Sequence, residues 1–410
     1  MENCDLSDLD YPLEDWGTAS GHFRTVQRSS KRRVRILIDF TQIPLTRTGV
    51  GVYADHLIAH LVPLLTNHDK LIMLLQTDDT ATIETLKNQP RVSLITIPSR
   101  WFRNRAILML FEQCILPFIG LIERADIIHS LHYTYPLLAF SRCVVTIHDL
   151  TFLLFPEMHT LGRRWIMPFF IRRAMKHAKA IIFVSKATQR DAERMFPCGS
   201  NVRRVAPLGV SPPVSVENQG GASRMALSRM GVESPYLLFI GTLEPRKNIV
   251  RIVEAFERVA RKHQNLTLVL AGKLGWHTGE IVARIESSDM RSRIRHLGFV
   301  SEAEKWILLR NCEMLVYPSL YEGFGLPVLE GMAAGAPVIT SNLSSMPEVA
   351  GDAAFLVDPN SVEAITLAIE QIIDDGTLIK RLQDAGPAQA ALFTWQKMAY
   401  STYRLYVDTL

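Results

Sequence analysis

Residues 321–330 read YEGFGLPVLE, two glutamates, Glu322 and Glu330, closing the ends of a stretch that is otherwise aromatic, aliphatic, glycine and proline. An ionised carboxyl group removed from water costs several kcal/mol unless a partner compensates it, so the pair is expected to face a cleft. Pro327 suits the first position of a helix that continues as PVLEGMAAG until Gly335 and Pro337 stop it, which places Glu330 in its first turn. Gly323, Phe324 and Gly325 form the loop before it. A helix start presents unpaired N–H groups and partial positive charge, so the expected ligand is phosphorylated.

Such a site needs elements that bring loops together. From residue 33 onward, short β-branched runs alternate with helical patterns, the signature of parallel sheets with crossover helices. RVRILID, KLIMLLQ, VSLITI, ADIIHS, CVVTIHD and AIIFVS are the strand candidates of the first half; YLLFIGT, LTLVLAG, RIRHLGFV, MLVYPS, PVITS and AAFLVD are those of the second. The series breaks at SPPVSVENQGGAS, 211–223, which reads as a linker. The expected fold class is therefore α/β: a disordered tail over 1–32, one doubly wound Rossmann-like domain over 33–210, a second over 224–390, and a closing helix within 391–410. Open parallel sheets bind ligands beyond the carboxyl ends of their strands. Glu322 after MLVYPS, His148 after CVVTI, and Gly49 and Gly51 in the RTGVG loop after RVRILID all fall there.

Composition narrows the setting. The 48% hydrophobic and 21% charged content is that of a globular chain. Five cysteines are scattered and never in a CxxC pair, which argues against a disulfide framework or zinc and for a reducing, cytoplasmic setting. Asp8 and Asp10 imitate a metal-binding DxD but lie in the expected tail, and Asp78-Asp79 lacks the spacer, so no metal site is expected. The net charge of +4 gives no reason to expect a nucleic-acid partner. The one long apolar run, 106–122, is interrupted by Glu112, Gln113 and Pro117 and is shorter than the roughly 20 residues a span needs; it reads as one buried or interfacial helix. Between 160 and 210, eleven Lys or Arg face two acids, and with SRWFRNR at 99–105 they stand beside Trp101, Phe102, Trp165, Phe169 and Phe170, a mixture suited to an anionic membrane surface.

GTLEPRKN at 241–248, YEGFGLPVLEGMAAGAPVIT at 321–340 and the Gly49-Val50-Gly51 loop together resemble glycosyltransferase family 4, over residues 33–410. The resemblance implies a GT-B fold, two Rossmann-like domains facing a cleft with the 391–410 helix crossing back to the first, and a retaining, metal-independent transfer of a hexose from a nucleotide diphosphate donor to a glycan or lipid-linked glycan. It assigns Glu322 to the donor sugar's hydroxyls and Glu330 to the ribose. Arg246, Lys247 and the backbone N–H groups of Gly323 to Leu326 fall to the diphosphate, His148 to the sugar's side, Gly49 and Gly51 to the phosphates or reacting carbon, and the backbone of Gly298, Phe299 and Val300 to the base. Where many members carry Arg directly after the strand-ending glycine, Thr242 stands here. GTLEPRKN with IHDLTFLLFPE looks most like the mannosyltransferases of bacterial surface-polysaccharide assembly, which makes GDP-mannose the expected donor and the inner face of the plasma membrane the expected place. A nucleotide-sugar epimerase, a glycoside hydrolase using Glu322 and Glu330, and a non-catalytic assembly partner remain as alternatives.

Overall fold

The computed structural model describes residues 33–101, 104–197, 199–213 and 220–410. The expected tail, with Asp8 and Asp10, and residues 214–219 of the expected linker lie outside them, while 220–223, read as linker, open the helix Gly220–Arg229. Two sheets, parallel throughout, organise the chain. The first joins β1 (Arg35–Asp39), β2 (Lys70–Gln76), β3 (Val92–Ile97), β4 (Ile127–Ser130), β5 (Cys143–Ile147), β6 (Ala180–Phe183) and β7 (Val202–Val205) in the order β3-β2-β1-β4-β5-β6-β7. The second joins β8 (Tyr236–Ile240), β9 (Thr267–Ala271), β10 (Ile294–Gly298), β11 (Met314–Tyr317), β12 (Val338–Ser341) and β13 (Phe355–Val357) in the order β10-β9-β8-β11-β12-β13. Each sheet reverses its winding once, between β1 and β4 in the first and between β8 and β11 in the second. Crevices open at such reversals, and the loops after these four strands line them.

Helices cover both faces of each sheet, so the central strands are buried on both sides and read as largely apolar runs. Alternation still sorts side chains: Ile36 and Ile38 of β1 face one core while Leu37 faces another on the opposite side of the sheet. Twelve of the thirteen strands correspond to the runs named from sequence. β7 escaped because VRRV carries two arginines; as an edge strand it leaves them able to reach out, Arg203 to Glu193 at 3.1 Å and Arg204 to Asp408 at 2.9 Å.

The run 106–122 is not one regular helix. Helical residues Arg105–Leu110 pass through a π-helical segment, Phe111–Ile115, into Leu116–Ile122. The wider turn points Glu112 inward, where its carboxylate accepts from Gln42 Nε2 and Thr134 Oγ1, each at 2.8 Å. Burial, with Asp39 close by, pushes this carboxyl up to about 8. No helix of the described residues is long and apolar enough to cross a membrane.

The last helix, Trp395–Asp408, packs on the first sheet's domain. Tyr403 donates to Asp69 at 2.9 Å, Tyr406 OH lies 2.6 Å from His129 Nδ1, and the Trp395 ring stacks on His56 at 4.2 Å between centroids. Gly209 passes so close to the start of this helix that a Cβ there would lie 2.1 Å from Trp395 N, backbone against backbone. Gly209→Ala is expected to destabilise the protein by at least the ~1–3 kcal/mol typical of overpacking, read as a lower urea midpoint at unchanged slope.

Candidate active site

The loop after β8 supplies two cations. Gly241 (φ 144°) ends the strand, Pro245–Lys247 makes a short 3₁₀ turn, and Asn248, left-handed at φ 64°, starts the helix Ile249–Lys262. Asn248 Nδ2 donates to the carbonyls of Pro318 (3.0 Å) and Pro359 (2.6 Å), pinning this turn to the loop after β11. That second loop carries Glu322. Its Oε1 lies 2.5 Å from Lys247 Nζ and its Oε2 2.9 Å from Arg246 Nη1. Arg246 also holds Glu244 Oε1 and the Tyr321 carbonyl, each at 2.5 Å, while Lys247 reaches Tyr317 OH at 2.5 Å.

All of these groups are largely dry. Burial pushes the Glu322 carboxyl up, but Arg246 and then Lys247 outweigh it and hold the group at about 2. For Arg246 burial opposes the charge, and Glu322 with Glu244 more than restores it. Lys247 is pushed down by burial and by Arg246 beside it, with Glu322 and Glu244 opposing.

Across from this cluster sits His148, directly after β5. Its Nε2 donates to the Leu131 carbonyl at 2.8 Å, which fixes that tautomer, and burial keeps the ring neutral. Nε2 is thus not available to donate to a ligand hydroxyl; Nδ1 can accept. Tyr53, one turn into the helix Val50–Leu61 that Gly49 (φ 48°) opens, meets the His148 ring edge-on at 4.9 Å. Space beyond Gly49 is open, whereas Gly51 is buried against Arg47.

The two domains touch at Gly323. A Cβ there would lie 1.7 Å from the His148 carbonyl oxygen. Thr188 Oγ1 donates to the Gly323 carbonyl at 3.0 Å, and Tyr321 OH to Asp191 at 3.3 Å. Beside them Glu348, from the second domain, accepts from the N–H groups of Lys186 (2.9 Å) and Ala187 (3.1 Å), occupying the start of the helix Lys186–Met195 in the first. Ser344 and Ser345 hold the loop from below: Ser344 Oγ accepts from Glu322 N at 3.0 Å, and Ser345 Oγ lies 2.9 and 2.8 Å from the Glu322 and Phe324 carbonyls.

Glu330 departs from its expected place. Gly325, at φ 106°, is the cap, so the helix Leu326–Ala333 starts one residue before Pro327 and Glu330 stands fifth, beyond the first turn. Its carboxylate meets Lys305 at 2.5 Å. The structure therefore gathers Arg246, Lys247, Glu322 and the Gly323–Leu326 loop, with His148 against Gly323. It sets Phe299 and Val300 apart, past the end of the edge strand β10, where Phe299 is exposed under Lys273 Nζ at 4.8 Å from its ring centre. Sequence reading missed Glu244, Tyr317, Lys305 and Glu348, because each acts through a partner at least 25 residues away or through a neighbour whose direction only the fold sets; Asn248 before a helix was the one local signal available.

Gly323→Ala is expected to keep the domains apart. Small-angle scattering should show a larger radius of gyration than for the unsubstituted protein, with the melting of each domain retained.

Residues 228–389 match the family described as glycosyl transferases group 1, and residues 47–212 match glycosyltransferase family 4. The chain is 33% identical over 271 residues to O-antigen chain mannosyltransferase B of Escherichia coli, a match covering 65% of this chain and 70% of that protein. It is 28% identical over 281 residues to the serotype-specific mannosyltransferase WbdA of Escherichia coli, covering 66% of this chain and 34% of WbdA. Anabaena Alr3699/HepE in complex with UDP-glucose superposes with a TM-score of 0.70 at 16% identity, over 92% of this chain and 100% of that one, a likeness of fold. With one matched family on each sheet and the two crevices facing each other, the chain belongs to the group 1, family 4 glycosyltransferases and has their GT-B fold.

Proposed function

We propose that this glycosyltransferase moves mannose from GDP-mannose to a glycan or lipid-linked glycan in bacterial surface-polysaccharide assembly, with retention at the anomeric carbon and without a metal, working at the cytoplasmic face of the membrane. The observation that carries the reading is the Lys247–Glu322–Arg246 cluster at the second sheet's reversal point, opposite His148. The names of the mannosyltransferase relatives support the sugar.

Lys247 has three N–H donors and directs two of them at Glu322 and Tyr317. The third, with the remaining guanidinium donors of Arg246 and the backbone N–H groups from Gly323 to Leu326, suits the donor's diphosphate. Negative charge grows there as the glycosidic C–O bond breaks, so fixed cations stabilise the transition state more than the ground state. Glu322, kept ionised by the same cations, retains lone pairs for sugar hydroxyls, and Glu330 does the same for the ribose. Gly49 leaves room for the phosphates or the reacting carbon, and Phe299 with Val300 borders the base. The acceptor hydroxyl attacks from the leaving-group side and its proton passes to the departing β-phosphate oxygen, through a short-lived oxocarbenium-like ion pair.

The membrane reading has its own support. Apolar side chains stand exposed along one side of the first domain: Phe118 and Ile122 (61% and 79%), Leu138 (78%), and Trp165 (79%) with Leu161 and Phe169 on the helix Leu161–His177. Contacts between Gln113 and Tyr135, Tyr135 and Phe170, and Phe140 and His177 tie these three segments together. Arg172, Arg173 and Lys176 are exposed beside them, each worth about 1 kcal/mol against an anionic surface. Phe170, expected on this face from sequence, is instead core, and Phe102 lies outside the described residues.

Lys247→Ala is expected to lower turnover by about 10²–10³, as for a lost oxyanion donor, in a mannosyl-transfer assay; near-normal transfer refutes the assigned role. Thermal stabilisation by GDP over UDP and ADP, α-configured product by NMR, and a rate indifferent to chelator check donor, stereochemistry and metal independence. In vesicle sedimentation the protein is expected to bind phosphatidylglycerol-rich membranes and not phosphatidylcholine, and Trp165→Ser with Ile122→Ser to abolish that binding.

A further inference from the structure

The helix Glu302–Asn311 begins with a reciprocal cap in which Ser301 and Glu304 satisfy each other's backbone N–H groups. One turn in, Lys305 Nζ lies 2.5 Å from Glu330 Oε1 and 2.7 Å from Glu302 Oε1. The two carboxylates are unequal: the Glu330 and Lys305 side chains are each 14% exposed, while Glu302 is 72% exposed and able to turn to water. Trp306, almost fully buried, donates to Glu302 at 3.2 Å and underlies the lysine, fixing the helix face that carries it. From the facing domain, His56 of Val50–Leu61 lies within electrostatic reach of both Glu302 and Lys305, and burial, with His60 beside it, holds it at about 4, so it is neutral near pH 7.

We propose that Lys305 is a positioning residue for donor binding, holding the Glu330 carboxylate toward the ribose of the nucleoside diphosphate. This rests on the assignment of Glu330 to the ribose made above. A carboxylate has about four lone-pair sites, and Lys305 engages one oxygen, leaving acceptors enough for two adjacent hydroxyls. Burial, with a smaller push from Glu302, leaves the Glu330 carboxyl above its ordinary value, and the charge and hydrogen bond of Lys305 draw it part of the way back. Without the lysine the group takes up a proton at higher pH, becomes partly a donor, and loses the charge-assisted bonds that an ionised carboxylate makes.

The test uses Lys305→Met and Lys305→Arg, each checked by melting temperature. They are titrated calorimetrically from pH 5.5 to 8.5 with whichever of GDP, UDP and ADP binds the unsubstituted protein tightest, and with its 2′-deoxy form. Lys305→Met is expected to bind the ribonucleotide about tenfold more weakly near pH 6, a deficit that closes as pH rises and Glu330 ionises. Lys305→Arg should restore affinity, and the 2′-deoxy nucleotide should lose less. Unchanged affinity, or a deficit equal at every pH and for both nucleotides, overturns the proposal. Glu330→Gln separates the two levels: if it leaves ribonucleotide affinity intact the ribose assignment itself fails, and if it weakens binding while Lys305→Met does not, only the role of Lys305 fails.

Discussion

A single carboxylate set between two cations governs the second domain's half of the cleft. Glu322 is 7% exposed, and an isolated ion so placed would be strongly unfavourable. Arg246 and Lys247 offset that cost, and are in turn held by Glu244, Tyr317 and the Tyr321 carbonyl, so no member is buried without a partner. Removing one member leaves another charge uncompensated in a dry site, which costs more than the pair's net worth. The loops after β8 and β11 are therefore locked together before any ligand arrives. That pre-organisation is what a site acting by charge stabilisation needs, because donors already in position do not have to reorganise as charge develops.

The same loop also seats the two domains. Gly323 has no side chain at the point where the His148 carbonyl approaches, and its own carbonyl is taken by Thr188. Glu348 reaches across to a helix start, where partial positive charge favours a carboxylate. At the other side, Gly209 packs backbone to backbone against the start of the Trp395–Asp408 helix, which returns the chain to the first domain. Closure thus depends on a few close backbone approaches and directed polar contacts, set around an apolar core that runs from the first sheet through the last helix into the second domain. Contacts of that kind favour a narrow set of relative positions, since small displacements break them.

The first domain uses one helical segment for two purposes. Its outer side presents Phe118 and Ile122, and its π-helical turn sends Glu112 inward to Gln42 and Thr134 beside the crevice after β1 and β4. An ordinary α-helical pitch through 111–115 would have shifted which residues face in; the wider turn accommodates a polar side chain in a run that otherwise reads as continuously apolar.

Local patterns in the chain settled the architecture. The central strands were legible because residues buried on both faces must be apolar, the edge strands β3, β10 and β13 because each still carries apolar residues between turn signals, and the glycine, proline and acid spacing of 321–330 marked the key loop. β7 was not legible, since two of the four residues of VRRV are arginines, which a strand tolerates at an edge where they can reach outward. Nor could spacing show that Glu322 would grip both Arg246 and Lys247, that Glu330 would sit one residue further into its helix and meet Lys305, or that Phe170 would turn inward while Trp165 turned out. Those outcomes belong to the tertiary structure, because a charge's partner and a side chain's depth are fixed by groups remote in the chain, and only packing the two sheets face to face brings such groups within the few ångströms over which a buried ion pair or a hydrogen bond acts.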